Sequence, residues 1–494
     1  MKPLASTALA GFFLATSCLG AVAAPATPEE AAQITQSLAR YLGALAAGNQ
    51  PALTVAPRGD SYAVTIDFGG LAGWMKSMGL DATVAPGKMP LTLARQPDGN
   101  WRVTQEGDFS LAYNSANQSG TFKVGGVKSS TLYNTTLQAV VSGTSDVAAL
   151  SSNSKASPPK SASVESTRES HAIHSEVTGV AAGPGAVTAT FSQTIHDTKQ
   201  RVFISNPFGA EGTPPFHLEF ALGEARGDGK IVAMRSPALL DLWAWLVAHP
   251  SKDAVRGGQS ELKPLLRAAL PVFDNLSASM DAKNVVVTAL EGKNFGADEA
   301  KFEIGFSGAK ADGAAREAFA AQGITIADGV LPTWAHGLSP REAALDLSAS
   351  GYDLGRVANA AIDALDLEAT TPIAPRDSAG MLSKLLPTGL ARFKLATLRF
   401  ANADYELSVN GEGSAGLGAK PVGALNIRLK GFDAVQKALA EGGKTDQNAA
   451  QASASLGLAR ALSKPGPDGS LVWEIAMSED GKLSVNGNAL GGGK

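Results

Sequence analysis

Residues 235–250 read RSPALLDLWAWLVAHP, and their spacing predicts one short helix that is apolar almost all round. Ser236 can accept the free first-turn N–H groups, Pro237 suits a position where its missing N–H costs nothing, and Pro250 stops the helix. Leu239, Leu242, Trp243, Leu246 and Val247 follow the i, i+3, i+4, i+7, i+8 pattern of one face, while Leu240, Ala244, Trp245 and Ala248 fill the other. Asp241 alone breaks the ring, and reads as a first-turn acid favoured by the helix dipole. The segment is far shorter than the ~20 residues needed to span a bilayer. It is therefore a core helix or the floor of an apolar groove, with Leu239, Trp243, Trp245 and Leu246 as the candidate groove residues.

Strands lead into this helix. Phe216, Leu218, Phe220 and Leu222 alternate, and Gly227-Asp228-Gly229 reads as a turn into Ile231–Met234. Beyond it, Ser260 can cap a second helix that carries Leu262, Leu265, Leu266, Ala269 and Leu270 on one face, and strands resume with Val285–Leu290 and with Phe302, Ile304 and Phe306. An internal echo follows. Leu345, Leu347 and Ala349 run into Gly351-Tyr352-Asp353 and a helix, and Leu425, Ile427 and Leu429 run into Gly431-Phe432-Asp433 and a helix. The glycine permits a sharp exit, the aromatic staples the joint and the aspartate can cap the helix.

Earlier in the chain, Thr27 can cap a helix to about Leu42, and Leu71, Trp74, Met75 and Met78 mark a second. Hairpins fill Leu91–Val140, and the polar serine-rich and proline-rich run at 151–170 reads as a loop or linker. Asp-Gly pairs at Asp98, Asp228, Asp312, Asp328, Asp468 and Asp480, with Asn-Gly at Asn410 and Asn486, favour antiparallel pairing. Arg392, Lys394, Asn426, Arg428 and Lys430 face away from the apolar row of their strands, so the sheets are one-sided. The expected fold is α+β: curved, mostly antiparallel sheet with helices packed on its inner face. The expected division is a signal at 1–23, a β-rich region at 24–150, the loop at 151–170 and a main domain at 171–494.

Lys2, the apolar run Leu4–Leu19 and the small-residue site Ala21-Val22-Ala23 form an export signal cleaved after Ala23, with a lipoprotein signal at Cys18 as the alternative. Cys18 is the only cysteine, so a mature chain would have no disulfides and no thiolate metal sites. The 42 basic residues, less Lys2, stand against 46 acidic ones and leave −5. That balance argues against nucleic acid, and after the signal no stretch is long and apolar enough to span a membrane.

Catalytic motifs fail on context. Gly411-Glu412-Gly413-Ser414-Ala415-Gly416 has the spacing of a dinucleotide fingerprint, but a strand follows it where a helix must hold the pyrophosphate, so it reads as a glycine-rich hairpin loop. His171 and His174 would point to opposite faces of a strand, which disfavours a shared metal. His217 and Glu219 share a face and are the best acid–base candidates, against the simpler reading of a polar outer row. No catalytic residue, metal or cofactor is assigned.

Several segments together carry a family likeness: RSPALLDLWAWLVAHP, ELKPLLRAALPVFDNL, the Gly-Tyr-Asp-Leu joint, GFDAVQKAL and ARALSKPGPDGSLVWEIAMSEDGKLSVNG. From about Arg235 to the C-terminus the chain resembles the domain-of-unknown-function family twenty-one twenty-five, exported proteins of alphaproteobacteria. The resemblance implies export and transfers no functional residue. The resulting expectation is a non-catalytic periplasmic protein that binds a lipid or other amphiphile; the alternative is an envelope assembly factor acting through protein partners, with a hydrolase third.

Overall fold

The computed structural model describes residues 25–42, 51–77, 80–157, 162–205, 215–288, 294–374, 380–381, 383–416 and 418–490. The expected signal, its cleavage site and Cys18 lie outside the described residues, as does Met78. The fold is mostly antiparallel sheet with fewer helices, in two compact units. Unit 1 is drawn from Met1–Glu219, Glu224–Leu276 and Ala358–Ser378, and unit 2 from Phe220–Gly223, Ser277–Val357 and Ala379–Lys494. This partition does not follow the expected boundary at 151–170.

Unit 1 opens with α1 (Pro28–Leu42), capped as expected by Thr27, whose Oγ1 accepts the Glu30 N–H at 3.1 Å. There follow β1 (Leu53–Arg58), β2 (Ser61–Asp67), α2 (Gly69–Ser77), β3 (Asp81–Ala85) and β4 (Lys88–Arg95). Six long strands come next: β5 (Trp101–Asn114), β6 (Gln118–Asn134), β7 (Ala139–Ala156), β8 (Ser163–Ala181), β9 (Val187–Ser205) and β10 (Phe216–Met234). Each pairs antiparallel with the one before it. Ile34 and Leu38 of α1 pack with Tyr62, Val64, Leu93, Trp101 and Tyr133 of the strands in a core from which water is excluded. The period of α1 is what allows this, because Ile34, Leu38 and Tyr41 fall on one stripe.

Two expectations for these strands are corrected. The serine-rich run is not a loop over its described residues: residues 151–156 finish β7 and residues 163–170 begin β8, with Ser152 directly opposite Arg168. Backbone pairing needs no apolar side chain, and a hydroxyl can face water without breaking a ladder, so polarity alone did not distinguish strand from loop. Gly227-Asp228-Gly229 is likewise no turn but lies within β10. A Cβ on Gly229 would stand 2.0 Å from Cζ of Phe191, so glycine there is the seat of an aromatic ring on the neighbouring strand.

Three helices close this part of unit 1: α3 (Ser236–Ala248), α4 (Lys252–Gly257) and α5 (Gln259–Ala269). The cap of α3 is Arg235 rather than Ser236; the Ser236 hydroxyl is buried with no hydrogen-bond partner among the described residues. Asp241 sits beyond the first turn and is held by the Arg40 guanidinium of α1, which explains it better than the helix dipole.

Unit 2 contains β11 (Asn275–Thr288), β12 (Asn294–Ser307), β13 (Gly313–Gln322), β14 (Thr325–Ile326) and β15 (Glu342–Tyr352). After α6 (Leu354–Ala364), which begins in this unit, come β16 (Leu390–Ala401), β17 (Glu406–Gly416) and β18 (Ala419–Lys430). The chain continues through α7 (Phe432–Gly442), α8 (Gln447–Ala461), β19 (Lys464–Pro465), β20 (Leu471–Met477), β21 (Leu483–Val485) and β22 (Asn488–Ala489). An unbroken antiparallel ladder joins β12, β13, β15, β16, β17, β18 and β20 in that order.

The repeated joint folds differently in its two copies. Both glycines take the left-handed conformation, Gly351 at φ +84° and Gly431 at φ +75°. Asp353 caps α6, its Oδ1 accepting the Arg356 N–H at 2.8 Å. Asp433 does not cap: α7 starts two residues earlier in its copy, at Phe432, and Asp433 instead pairs with Arg460 of α8 at 3.2 Å.

Candidate functional site

The four groove candidates on α3 do not converge. Residues two apart on a helix diverge by about 200°, and Trp243 and Trp245 are used on separate sides. The Trp243 indole donates to the Tyr41 carbonyl at 3.0 Å and its ring packs against the unit 1 core beside Val247. Trp245 is buried and stacks on His249 with ring centroids 4.1 Å apart, and the His249 Nδ1 lies 2.7 Å from the Trp245 carbonyl. Gly258 makes room for that stack, since a Cβ there would come within 2.8 Å of both rings. Leu239 is half-buried and Leu246 exposed.

A larger apolar surface lies in unit 2, and it is built by register. In an antiparallel pair, directly opposite residues project to the same face and every second residue repeats it. The register therefore aligns Phe302, Phe319, Leu345, Leu398, Val409, Ile427 and Trp473 in one row across seven strands. The next row is Ile304, Glu317, Leu347, Leu395, Gly411, Leu425 and Ile475. Beyond it come Phe306, Ala315, Ala349, Phe393, Gly413, Gly423 and Met477. The shift between Asp346 and Leu347 keeps the face intact, because the extra residue of β16 is taken up between Leu395 and Leu398. Seven strands at ~4.8 Å spacing make this face about 30 Å wide. Glu317 is the one charged side chain in these rows.

The opposite face is charged and internally paired. Glu303 meets Lys301 at 2.7 Å and Arg316 at 2.8 Å, and Arg316 also meets Asp346 at 3.0 Å. Arg399 is held between Glu342 and Glu406, and Arg428 meets Asp468 at 2.8 Å. The hydrogen bond from Ser470 and the Arg428 charge hold the Asp468 carboxyl at about 2. A sheet charged on one side and apolar on the other needs a cover only on the second.

Among the described residues that cover is partial. Leu429, Phe432, Trp473 and Val485 form a small core with Val435 of α7 and Leu456 and Ala459 of α8. Phe306, Phe319, Leu345, Leu347, Phe393, Leu425 and Met477 are left between 36% and 44% exposed, too much for core positions. Gly413 and Gly423 put no side chain on the surface between Phe393 and Met477, which leaves a shallow strip floored by backbone. The glycine run that carries this strip was expected to be a hairpin loop; it is the end of β17. A Cβ on Gly413 would come 2.7 Å from the Val422 carbonyl oxygen, so the glycines permit close strand approach.

The titratable candidates have other partners. Glu219 is ion-paired with Arg201 at 2.7 Å, whose hydrogen bond holds its carboxyl below the usual range, so it is poorly suited to take a proton from His217. His174 sits between Asp146 at 2.7 Å and Glu176 at 3.3 Å, and His171 faces His196 across the β8–β9 ladder. Among the described residues no three His, Cys, Asp or Glu side chains gather as a metal ion requires, and no helix is long and apolar enough to cross a membrane.

Six of the seven strands of the unit 2 face were legible as alternating runs; β13, GAAREAFAAQ, was not, because Glu317 interrupts its apolar side. Their alignment into one surface was not, because it depends on the register of each strand against a neighbour from another segment, as with Leu345 opposite Leu398 and Ile427 opposite Trp473. No protein-family model, curated protein or solved structure matches the chain.

Proposed function

We propose that this chain is an exported, non-catalytic periplasmic protein that binds the acyl part of a lipid or similar amphiphile on the apolar face of unit 2. The observation that carries this reading is the row structure itself: seven strands place their apolar side chains on one face, and much of it is uncovered. Covering the exposed part of seven such side chains contributes roughly 5 kcal/mol before association costs, which is enough to favour an apolar chain but not to require a folded partner. The glycine strip between Phe393 and Met477 supplies a shallow seat for a flexible chain, and the salt-bridged reverse face supplies the wet side. In this reading the sheets are curved, helices line part of their inner face, the signal is cleaved after Ala23 and the chain acts in the envelope, in keeping with its resemblance to exported alphaproteobacterial proteins. The α3 residues Leu239, Trp243, Trp245 and Leu246 then serve packing rather than the ligand.

Native mass spectrometry of the mature chain purified from its own host tests the proposal. A bound lipid that is lost in a Leu347→Asp, Phe393→Asp double variant is the expected result. Lipid-free wild-type protein overturns it, and one stoichiometric envelope protein retained in place of lipid overturns it in favour of an assembly factor.

A further inference from the structure

A polar belt crosses one face of the unit 1 sheet. Along β8, Ser166, Arg168 and Ser170 alternate with Glu165, Thr167 and Glu169, so the two carboxylates belong to the other face. Directly opposite Arg168 stand Ser152 of β7 and Gln200 of β9, and the same row continues to Phe122 of β6 and Leu111 of β5. The Ser170 hydroxyl is fully buried and shares a 2.9 Å hydrogen bond with Thr198. The Gln200 amide donates to Ser166 at 3.3 Å, and Arg168 Nε donates to Ser170 at 3.4 Å.

The arginine itself is the anomaly. It is half-buried, and no carboxylate among the described residues lies within ion-pair reach of it. Burial pushes its guanidinium below the usual value, and no nearby negative charge opposes the shift. Arg95, comparably placed in the same unit, meets Glu30 at 3.4 Å. A cation kept on an inner row without a counter-charge is costly unless something anionic joins it.

We propose that Arg168, with the hydroxyls of Ser152 and Ser166 and the amide of Gln200, binds a phosphate-type oxyanion, either free or on the head of an amphiphile. The planar guanidinium has N–H groups left for a two-point contact with such an anion, and the hydroxyls can donate to its remaining oxygens. Phe122 and Leu111, farther along the row, offer an apolar wall to whatever the anion is attached to. This site lies in unit 1 and stands or falls independently of the unit 2 face.

The test uses the full mature chain with two probes: inorganic phosphate, and phosphatidylcholine vesicles with or without phosphatidic acid. Thermal midpoint and phosphorus NMR line width are read for the wild type, Arg168→Gln, Arg168→Lys and Ser152→Ala. The wild type is expected to gain stability with a phosphate-bearing probe. Arg168→Gln is expected to bind at least about ten-fold more weakly, as for loss of a charge-assisted hydrogen bond. Arg168→Lys, which keeps the charge and loses the fork, is expected to fall between them. A response to inorganic phosphate assigns a free ligand; a response only to phosphatidic acid vesicles assigns a headgroup. Without ligand, Arg168→Gln is expected to melt no lower than the wild type, because it removes an uncompensated charge. A wild type that responds to neither probe overturns the proposal, and so does an Arg168→Gln that responds as the wild type does. Should Arg168→Gln fail to fold, an unchanged response in both Arg168→Lys and Ser152→Ala overturns it equally.

Discussion

The indole N–H of Trp473 donates to the Ala459 carbonyl at 2.7 Å, tying β20 to the end of α8. One tryptophan thus belongs both to the apolar row of the sheet and to the helix pair that covers part of it. Removing it separates the covered part of the face from the uncovered part. Trp473→Ala is expected to cost about 3–5 kcal/mol in urea unfolding of unit 2, as for large-to-small changes in a core. Leu345→Ala, in the same row but exposed, is expected to stay within about 1 kcal/mol. Equal costs at the two positions would mean that Leu345 is covered in solution.

Charge placed on the uncovered rows separates binding from folding. Leu347→Asp and Phe393→Asp substitute exposed positions, so each is expected to change stability by less than about 1 kcal/mol. Uptake of a fluorescent fatty acid should nevertheless fall at least about ten-fold in the double variant, since each carboxylate must be desolvated by an entering chain. Retained uptake would move the ligand away from this face.

The two copies of the Gly-aromatic-Asp joint differ in a measurable way. Asp353 is buried and caps α6, so Asp353→Ala is expected to cost about 1–2 kcal/mol. Asp433 is exposed and makes only a surface pair with Arg460, so Asp433→Ala is expected to cost no more than about 0.5 kcal/mol. Comparable losses on chemical denaturation would show that Asp433 has a capping role as well.

His174 provides a pH signature. Hydrogen bonds to Asp146 first, and then to Glu176, raise its pKa above the usual value of 6.5. Because the folded pKa is above the unfolded one, its contribution is fully present below about pH 6.5 and is lost as pH rises through the folded value. The ring is exposed, so the effect on stability is small, and NMR titration of its ring proton is the direct measure. Asp146→Asn is expected to bring the midpoint down towards 6.5; an unchanged midpoint would remove Asp146 as the cause.

Local periodicity alone specified the antiparallel strands around Leu345, Phe393 and Leu425, the helix at residues 236–248, the Thr27 cap and the charged reverse side at Arg392, Lys394 and Arg428. Those features depend on residues a few positions apart, whose side-chain direction the backbone period already settles. Other assignments depended on the neighbours. Gly229 has the local signature of a turn but is the seat of the Phe191 ring; Gly411 and Gly413 have the signature of a loop but lie in β17. The serines of 151–156 have the composition of a linker but lie in a ladder.

What the amino-acid order determined, then, was which residues share a strand or helix face, because alternation and the 3.6-residue period are properties of a single segment. What only the tertiary structure decided was which faces meet: that Trp243 turns to Tyr41 while Trp245 turns to His249, that seven separate runs align into one apolar surface, and that α7 and α8 cover only part of it. Register and cover are set by pairing between distant strands and by the helices packed on them, and no single segment carries that information.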